Sequence, residues 1–402
     1  MTDASPPFRR ILGNLDFETS LARARRPQPA LPRTVRLGLS ALATLLRVFA
    51  REGDRLWTPL RVEADRVPSV PGVAKVHLES GPLHQLPPAE AVLAWGMAPE
   101  VERYCSPCPR TISSPARTST PLQKEIWQGP FPTAQAAARV NHRSFFLDTV
   151  EGLGRVLPGT RMVHSLAELD HHLARGGAGA AVEDRWVLKA SCSAAGRDRL
   201  LGKGNHLPAG PSRQRAARLF QHHEALLFEP WMERIGDFGC TARVTPAGVR
   251  LLGIHRQAVD GYGRFRGLIV EPISTERPGP VTPVERNELI EVVQAVGIRL
   301  RGAGYVGPFG LDGWWFRDRQ STVRFHPLGE INARCTFGLA LHVLAARLEA
   351  AGEPVGALRF RLGRGRIPSP GPKRPGRILP LLLESRDDPT LAWVQVTPPG
   401  NH

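Results

Sequence analysis

The chain has 402 residues, 42% hydrophobic and 22% charged, which is a soluble globular composition too long for one ordinary core. Its formal charge is +16, but lysine stands only at Lys75, Lys124, Lys189, Lys203 and Lys373, so almost all of the positive charge is arginine. Those arginines are scattered, without aromatic interleaving or a nucleic-acid motif, so a generally basic surface is expected rather than a nucleic-acid platform.

No apolar run is long enough for a membrane span, and the start MTDASPPFRR lacks a signal-peptide core. A cytoplasmic protein without a membrane partner is therefore expected. Five cysteines, mostly far apart, fit reduced thiols better than a disulfide framework.

ILGNLDFE reads as a short first strand and turn, and RARRPQPALPR as a loop. Apolar residues at helical spacing over Thr34–Arg51 predict a helix, with Gly53 beyond it as a stop. RLWTPLRV, VAKVHLE and EAVLAWGM read as strands, and PEVERY starts a helix, so a small α/β domain with a parallel sheet is expected. Trp57, Trp95 and Gly96 fall at strand ends, where α/β ligands tend to bind, but read better as core tryptophans and a turn glycine.

Cys105-Ser-Pro-Cys108 is a lone CxxC with no second pair at zinc spacing. The Ser-, Thr- and Pro-rich stretch 106–133 reads as a long loop or linker.

From Ala134 a mostly helical region leads to a helix capped by Ser165. RWVLKAS is then a short apolar strand carrying Lys189, a position costly for a lysine unless an anion meets it. SCSAAGRDRLLGKGN follows, and its small residues with Arg197, Arg199 and Lys203 suit phosphate oxygens, although no Walker motif is present. An edge-strand lysine before a flexible hairpin reads equally well.

After the helix RQRAARLFQHHE, residues 225–270 read as an antiparallel run, with an abrupt turn at Glu229-Pro230-Trp231-Met232. His255, Arg256, Arg264 and Arg266 decorate that run, either as solvated strand faces or as grips for an anionic substrate. The helix VERNELIEVVQAVGIRLRGAG is closed by Gly302 and Gly304.

Two strands follow, roughly Tyr305–Phe316 with Asp312 and Thr322–Ile331 ending in Glu330-Ile331-Asn332-Ala333-Arg334. Alternation puts Glu330 and Asn332 on one face; if the strands pair, Asp312 joins them in a set of hard oxygen donors suited to magnesium, with Arg334 beside it. Two ordinary strands with solvated acidic ends would show the same spacing. The helix LALHVLAARLEAAGE, the basic loop GRGRIPSPGPKRPGR and the terminal strands ILPLLLES and AWVQV complete the chain.

In this order the pieces resemble the ATP-grasp superfamily: Lys189 and the loop Ser191–Arg199, the element Glu229–Met232 with Asp237-Phe238, and the strands GYVGPFGLDGW and LGEINAR. The resemblance covers about 135–350. It implies an α/β and α+β architecture: a pre-ATP-grasp domain (1–110), a linker (111–134), small and lid subdomains (135–225), a metal-bearing subdomain (226–352), then a basic loop and terminal strands (353–402).

It further implies ATP clamped between two subdomains. Lys189 would touch its phosphates or the adenine side of the pocket, and Ser191, Ser193, Gly196 and Arg197 would cover the phosphates. The backbone around Glu229, Pro230, Trp231 and Met232 would hydrogen-bond adenine, with Glu229 or Asp237 near the ribose. Asp312, Glu330 and Asn332 would hold one or two magnesium ions, or manganese in their place, while Arg334 neutralises the transferred phosphoryl group. Arg256, Arg264 and Arg266 would bind a substrate carboxylate.

The implied activity is a carboxylate–amine (or –thiol) ligase acting on small molecules, with a kinase that stops at phosphorylation as a close variant and a homodimer allowed. Asp198, where the family usually has a second glycine, departs from the pattern and leaves open a non-catalytic nucleotide-binding protein. A basic nucleic-acid-binding protein is a third reading, resting on the charge of +16 alone.

Overall fold

The structure is a computed structural model and describes residues 8–25, 29–106, 120–127, 131–193, 198–271, 280–367 and 376–399. A first sheet is parallel, as its β–helix alternation requires. Its strands are β1 (Arg9–Leu12), β2 (Arg55–Thr58), β3 (His77–Ser80) and β4 (Ala91–Ala94), in the order β3-β2-β1-β4.

Helices α1 (Phe17–Arg25), α2 (Arg33–Ala43) and α3 (Pro99–Cys105) accompany it. The predicted turn and loop after β1 are in fact α1, whose buried Phe17, Glu18 and Leu21 recur at helical spacing in a stretch otherwise dominated by arginine. The helix predicted over Thr34–Arg51 tightens into a 3-10 segment at Thr44–Phe49. Within the stretch read as a linker lies α4 (Pro121–Trp127), held by Trp127 Nε1 donating to Phe49 O at 2.9 Å. Cys108 of the CxxC lies outside the described residues.

Helices α5 (Ala134–Val140) and α6 (Arg143–Gly152) lead to a second sheet, ordered β5-β8-β6-β7. It comprises β5 (Arg161–Val163), β6 (Arg185–Ala190), β7 (Arg199–Lys203) and β8 (Leu226–Pro230), with α7 (Leu166–Ala174) and α8 (Pro211–His222) packed on it. Ser165 caps α7 through the Glu168 N–H at 3.1 Å, as its sequence position predicts.

A third sheet of eight strands runs β13-β12-β9-β10-β11-β14-β16-β15. In chain order these are β9 (Glu233–Thr245), β10 (Gly248–Val259), β11 (Phe265–Val270), β12 (Gly307–Arg317), β13 (Val323–Asn332), β14 (Ala357–Gly363), β15 (Arg377–Leu382) and β16 (Leu391–Thr397). Helix α9 (Pro283–Gly302), closed at its N-terminus by a Thr282–Glu285 capping box, packs on the face carrying Phe238, Cys240 and Leu311. Helix α10 (Phe337–Ala350) lies on the opposite face.

A bulge in β10 between Leu251 and Gly253 reverses the alternation, so Val249 faces α9 whereas Gly253 and His255 face α10. A Cβ on Gly253 would come within 2.4 Å of the His342 ring, so glycine is what lets α10 approach this closely. Among the described residues no helix is long and apolar enough to cross a membrane.

The first sheet is clasped to the chain's last strands by Arg66. Its guanidinium reaches Asp388 at 2.9 Å and the Leu383 carbonyl at 2.9 Å, and both side chains are buried. Replacing one partner of such a pair leaves the other charge buried and alone, which costs about 3–5 kcal/mol. Arg66→Ala is therefore expected to lower the urea midpoint by an equivalent amount, and a midpoint within about 0.5 kcal/mol of wild type, the range of ordinary surface changes, would refute the clasp.

Candidate functional site

A cleft of about 280 Å³ opens where the second and third sheets meet the first sheet and its helices. On the second sheet, Lys189 of β6 and Glu229 of β8 are diagonal neighbours, since Val187 is the residue registered against Glu229. Both are buried, and they form an ion pair. This pair resolves the difficulty of a lysine in an apolar strand, because an opposite charge replaces the lost water. Burial still lowers the Lys189 pKa, with Glu229 opposing that shift.

On the third sheet, β12 and β13 pair antiparallel with Asp312 opposite Glu330 and Gly310 opposite Asn332. Asp312 accepts hydrogen bonds from Gln257 Nε2 at 2.6 Å and Asn332 Nδ2 at 3.0 Å. Gln257 crosses to it because Gly239, between them in the sheet, has no side chain: a Cβ there would meet Gln257 Nε2 at 2.5 Å. Arg143 Nη2 donates to Glu330 Oε1 at 2.9 Å. The strand end is locked by Asn141, which both donates to Ala333 O (3.1 Å) and accepts from Ala333 N (3.0 Å).

The two carboxylates differ in charge state. Burial and the neighbouring Glu330 push Asp312 up to about 6. Burial acts on Glu330 in the same direction, but Arg143, Lys189 and Arg334 together outweigh it and hold Glu330 below its usual value. Asp312 is thus the acid here without an ion pair of its own among the described residues, although Arg334 opposes part of the shift.

Arg334 is bound on every side. Nε pairs with Glu18 of α1, Nη1 donates to Cys335 O at 3.1 Å, Nη2 donates to Asn332 Oδ1 at 3.0 Å, and the guanidinium lies 5.0 Å over Trp95. Trp231 lines the cleft, and Arg234 lies over both it (5.1 Å) and Trp314 (3.7 Å) while pairing with Asp237 at 3.0 Å. Burial raises the Asp237 pKa, with Arg234 opposing the shift.

The structure gathers Lys189, Ser193, Trp231, Asp237, Asp312, Glu330, Asn332 and Arg334 around one cleft, with Glu229 reaching it through Lys189. Ser191 turns away, its hydroxyl donating to Ala225 O. The Trp231 N–H donates to Arg185 O at 2.8 Å, so that amide is used within the protein. Pro230 ends β8, and Met232 packs with Trp314 and Phe316. Gly196 and Arg197 lie outside the described residues.

Arg256 and Arg266 do not line the cleft; they are largely exposed and face Glu271 (3.8 Å) and Asp260 (2.8 Å) respectively. The inward positions of β10 are instead His255 and Gln257, one residue to either side of Arg256. Sequence reasoning missed Glu18, Arg143, Arg234 and Gln257. Only Gln257 carried a signal, two residues from a histidine already noted on the same strand.

Among the described residues no group of three or more His, Cys, Asp or Glu side chains is arranged to hold a metal. The oxygen donors that Asp312, Glu330 and Asn332 bring together are two carboxylates and one amide, all of them hard ligands.

No family model matches the sequence, and no curated protein matches it. Solved structures do share its chain path. N5-carboxyaminoimidazole synthetase from Staphylococcus aureus, complexed with ADP, is 10% identical with a TM-score of 0.53, covering 98% of this chain and 93% of its own. N5-carboxyaminoimidazole ribonucleotide synthetase from Thermus thermophilus is 15% identical with a TM-score of 0.51, covering 97% and 94%. The biotin carboxylase domain of Hydrogenobacter thermophilus 2-oxoglutarate carboxylase, in complex with MgADP, is 12% identical with a TM-score of 0.51, covering 97% and 86%.

The raised Asp312 carboxyl gives a test with a definite sign. Between an ordinary 3.8 and about 6 the native state holds more protons than the unfolded chain, so stability falls as pH rises through that window. In metal-free buffer Asp312→Asn should therefore be more stable than wild type at pH 7, by about 1–3 kcal/mol, and similar to it near pH 4. Denaturant titrations at both pH values check this; a variant less stable at pH 7 would contradict it.

Proposed function

We propose that this chain, which has the ATP-grasp fold, is an ATP- and magnesium-dependent ligase that activates a small carboxylate as an acyl phosphate for attack by an amine. The observation that carries the reading is the pair Asp312 and Glu330, opposed on neighbouring strands beside Asn332, in a cleft also lined by Lys189, Arg143 and Arg334. Asp312, Glu330 and Asn332 fit magnesium, because a divalent cation would offset both the burial and the Glu330 repulsion that raise Asp312. When bound it would supply Lewis-acid polarisation and charge neutralisation.

The chemistry asks for positioning and neutralisation rather than a protein nucleophile. A substrate carboxylate oxygen attacks the γ-phosphorus and ADP leaves. The amine nitrogen then forms the C–N bond, the C–O bond to phosphate breaks, and the nitrogen loses its proton. Lys189, fixed by Glu229, offers an ammonium to phosphate oxygens. Arg199, which lines the cleft and donates to Tyr262 O from the tip of the β10–β11 hairpin, adds a second cation and ties the two sheets across the opening. Arg334 cannot swing freely, so it acts as a fixed positive charge, which suits a developing anion better than a mobile one.

Thermal unfolding with ATP alone, magnesium alone and both together tests the reading, since a ligand selective for the native state raises the melting temperature by mass action. A shift requiring both is expected, and Glu330→Gln and Lys189→Met should each weaken it. ADP release with a carboxylate and an amine would follow. No shift under any condition would defeat the proposal, and binding without ADP release for any acceptor would favour a non-catalytic nucleotide-binding protein.

A further inference from the structure

Beyond its carboxylates the cleft changes character. One wall is apolar and is drawn from separate parts of the chain: Leu39 and Leu42 of α2, Trp95 after β4, Phe265 of β11, Phe337 of α10 and Leu362 of β14. The rings form a continuous cluster, with Trp95 and Phe337 5.1 Å apart and Phe337 stacked on Phe265 at 6.1 Å with planes 13° apart. All but Trp95 are only partly buried, so surface is left over for the cavity after the core is satisfied. A phosphorylated or polyhydroxylated group placed here would lose its hydration with nothing in return.

Where this wall meets the polar end stands Glu18. Its side chain is 7% exposed, one oxygen is taken by Arg334, and Oε2 has no hydrogen-bond partner although the residue lines the cavity. A buried carboxylate oxygen without a donor is costly, and a ligand N–H is the group that would satisfy it. Arg334 joins the two features, because it holds Glu18 and lies over Trp95.

We infer that the nucleophile of the proposed ligase is an amine with an apolar body of aryl or branched-alkyl size, the body lying against the Leu39–Trp95–Phe337 wall and the amine donating to Glu18 Oε2. This rests on the ligase reading and narrows its substrate class. The first domain thereby chooses the nucleophile, through Glu18, Leu39, Leu42 and Trp95, while the two later sheets hold the groups proposed to carry the phosphoryl chemistry.

Titration calorimetry of the full chain with ADP and magnesium, and without them, would compare 2-phenylethylamine, ethanolamine and the uncharged 3-phenylpropanol. Phenylethylamine should bind at least about tenfold more tightly than ethanolamine, since even one methylene in an apolar pocket discriminates on that scale. Glu18→Gln should lose most of the advantage of phenylethylamine over phenylpropanol, and Leu42→Asp, at a partly exposed position and checked for a cooperative melt, should lose affinity for both aromatic probes. Ethanolamine binding as tightly as phenylethylamine, or Glu18→Gln binding all probes unchanged, would overturn the inference. If magnesium and ATP stabilise the protein but the probes show no such order, this inference alone falls. If the probes show the order without any nucleotide effect, the apolar amine site stands and the ligase reading falls.

Discussion

Two carboxylates facing each other inside a protein repel, and most of the architecture around Asp312 and Glu330 can be understood as the means of tolerating that. Three cations, two amides and a stripped backbone at Gly239 are brought to one spot from five separate stretches of chain. Their arrangement is asymmetric. Glu330 receives Arg143 directly, whereas Asp312 receives only neutral donors, from Gln257 and Asn332. The protein thus holds one carboxylate ready as an anion and leaves the other in want of a cation, an imbalance that a divalent ion would correct.

That asymmetry also explains why the site lies at a junction rather than within one sheet. Asn141 lies in the turn between α5 and α6 and Arg143 opens α6, and the Arg143 N–H also donates to Ser191 O at 3.0 Å. A single turn therefore registers the end of β6 against the end of β13. On the far side, the Cys335 N–H donates to Trp95 O at 2.8 Å and Asn14 donates to Gly96 O at 2.8 Å. The second and third sheets are thus tied by the α5–α6 turn, and the third to the first by Cys335, at the strand ends that hold Lys189, Glu330 and Asn332, the usual position for ligands in α/β architecture.

Much of this was legible in the sequence, and the limits have physical causes. The Asp312 and Glu330 strands were readable because alternation and spacing fix which residues share a face. Lys189 was readable because a charge in an apolar strand demands a partner. The ATP-grasp fold expected from these pieces is the fold found. Helix α1 was not readable, since its arginines mask a short apolar stripe, nor was the inward face of β10, where the bulge after Leu251 shifts the alternation. Glu18 and Arg143 were beyond reach for a different reason: their partners lie 316 and 187 residues away, and no local pattern announces a contact that only the tertiary fold creates.

Those long separations have a consequence for the order in which the chain becomes complete. Arg66 meets Asp388 only when a residue 322 positions later has been made, and Glu18 meets Arg334 after 316. Without those partners the first sheet and its helices must keep charged groups wet that the finished protein buries, since an unpaired buried charge is far costlier than an exposed one. The first sheet therefore cannot be finished alone: its charged pairs and its apolar core both wait on strands and a helix from the far end of the described chain.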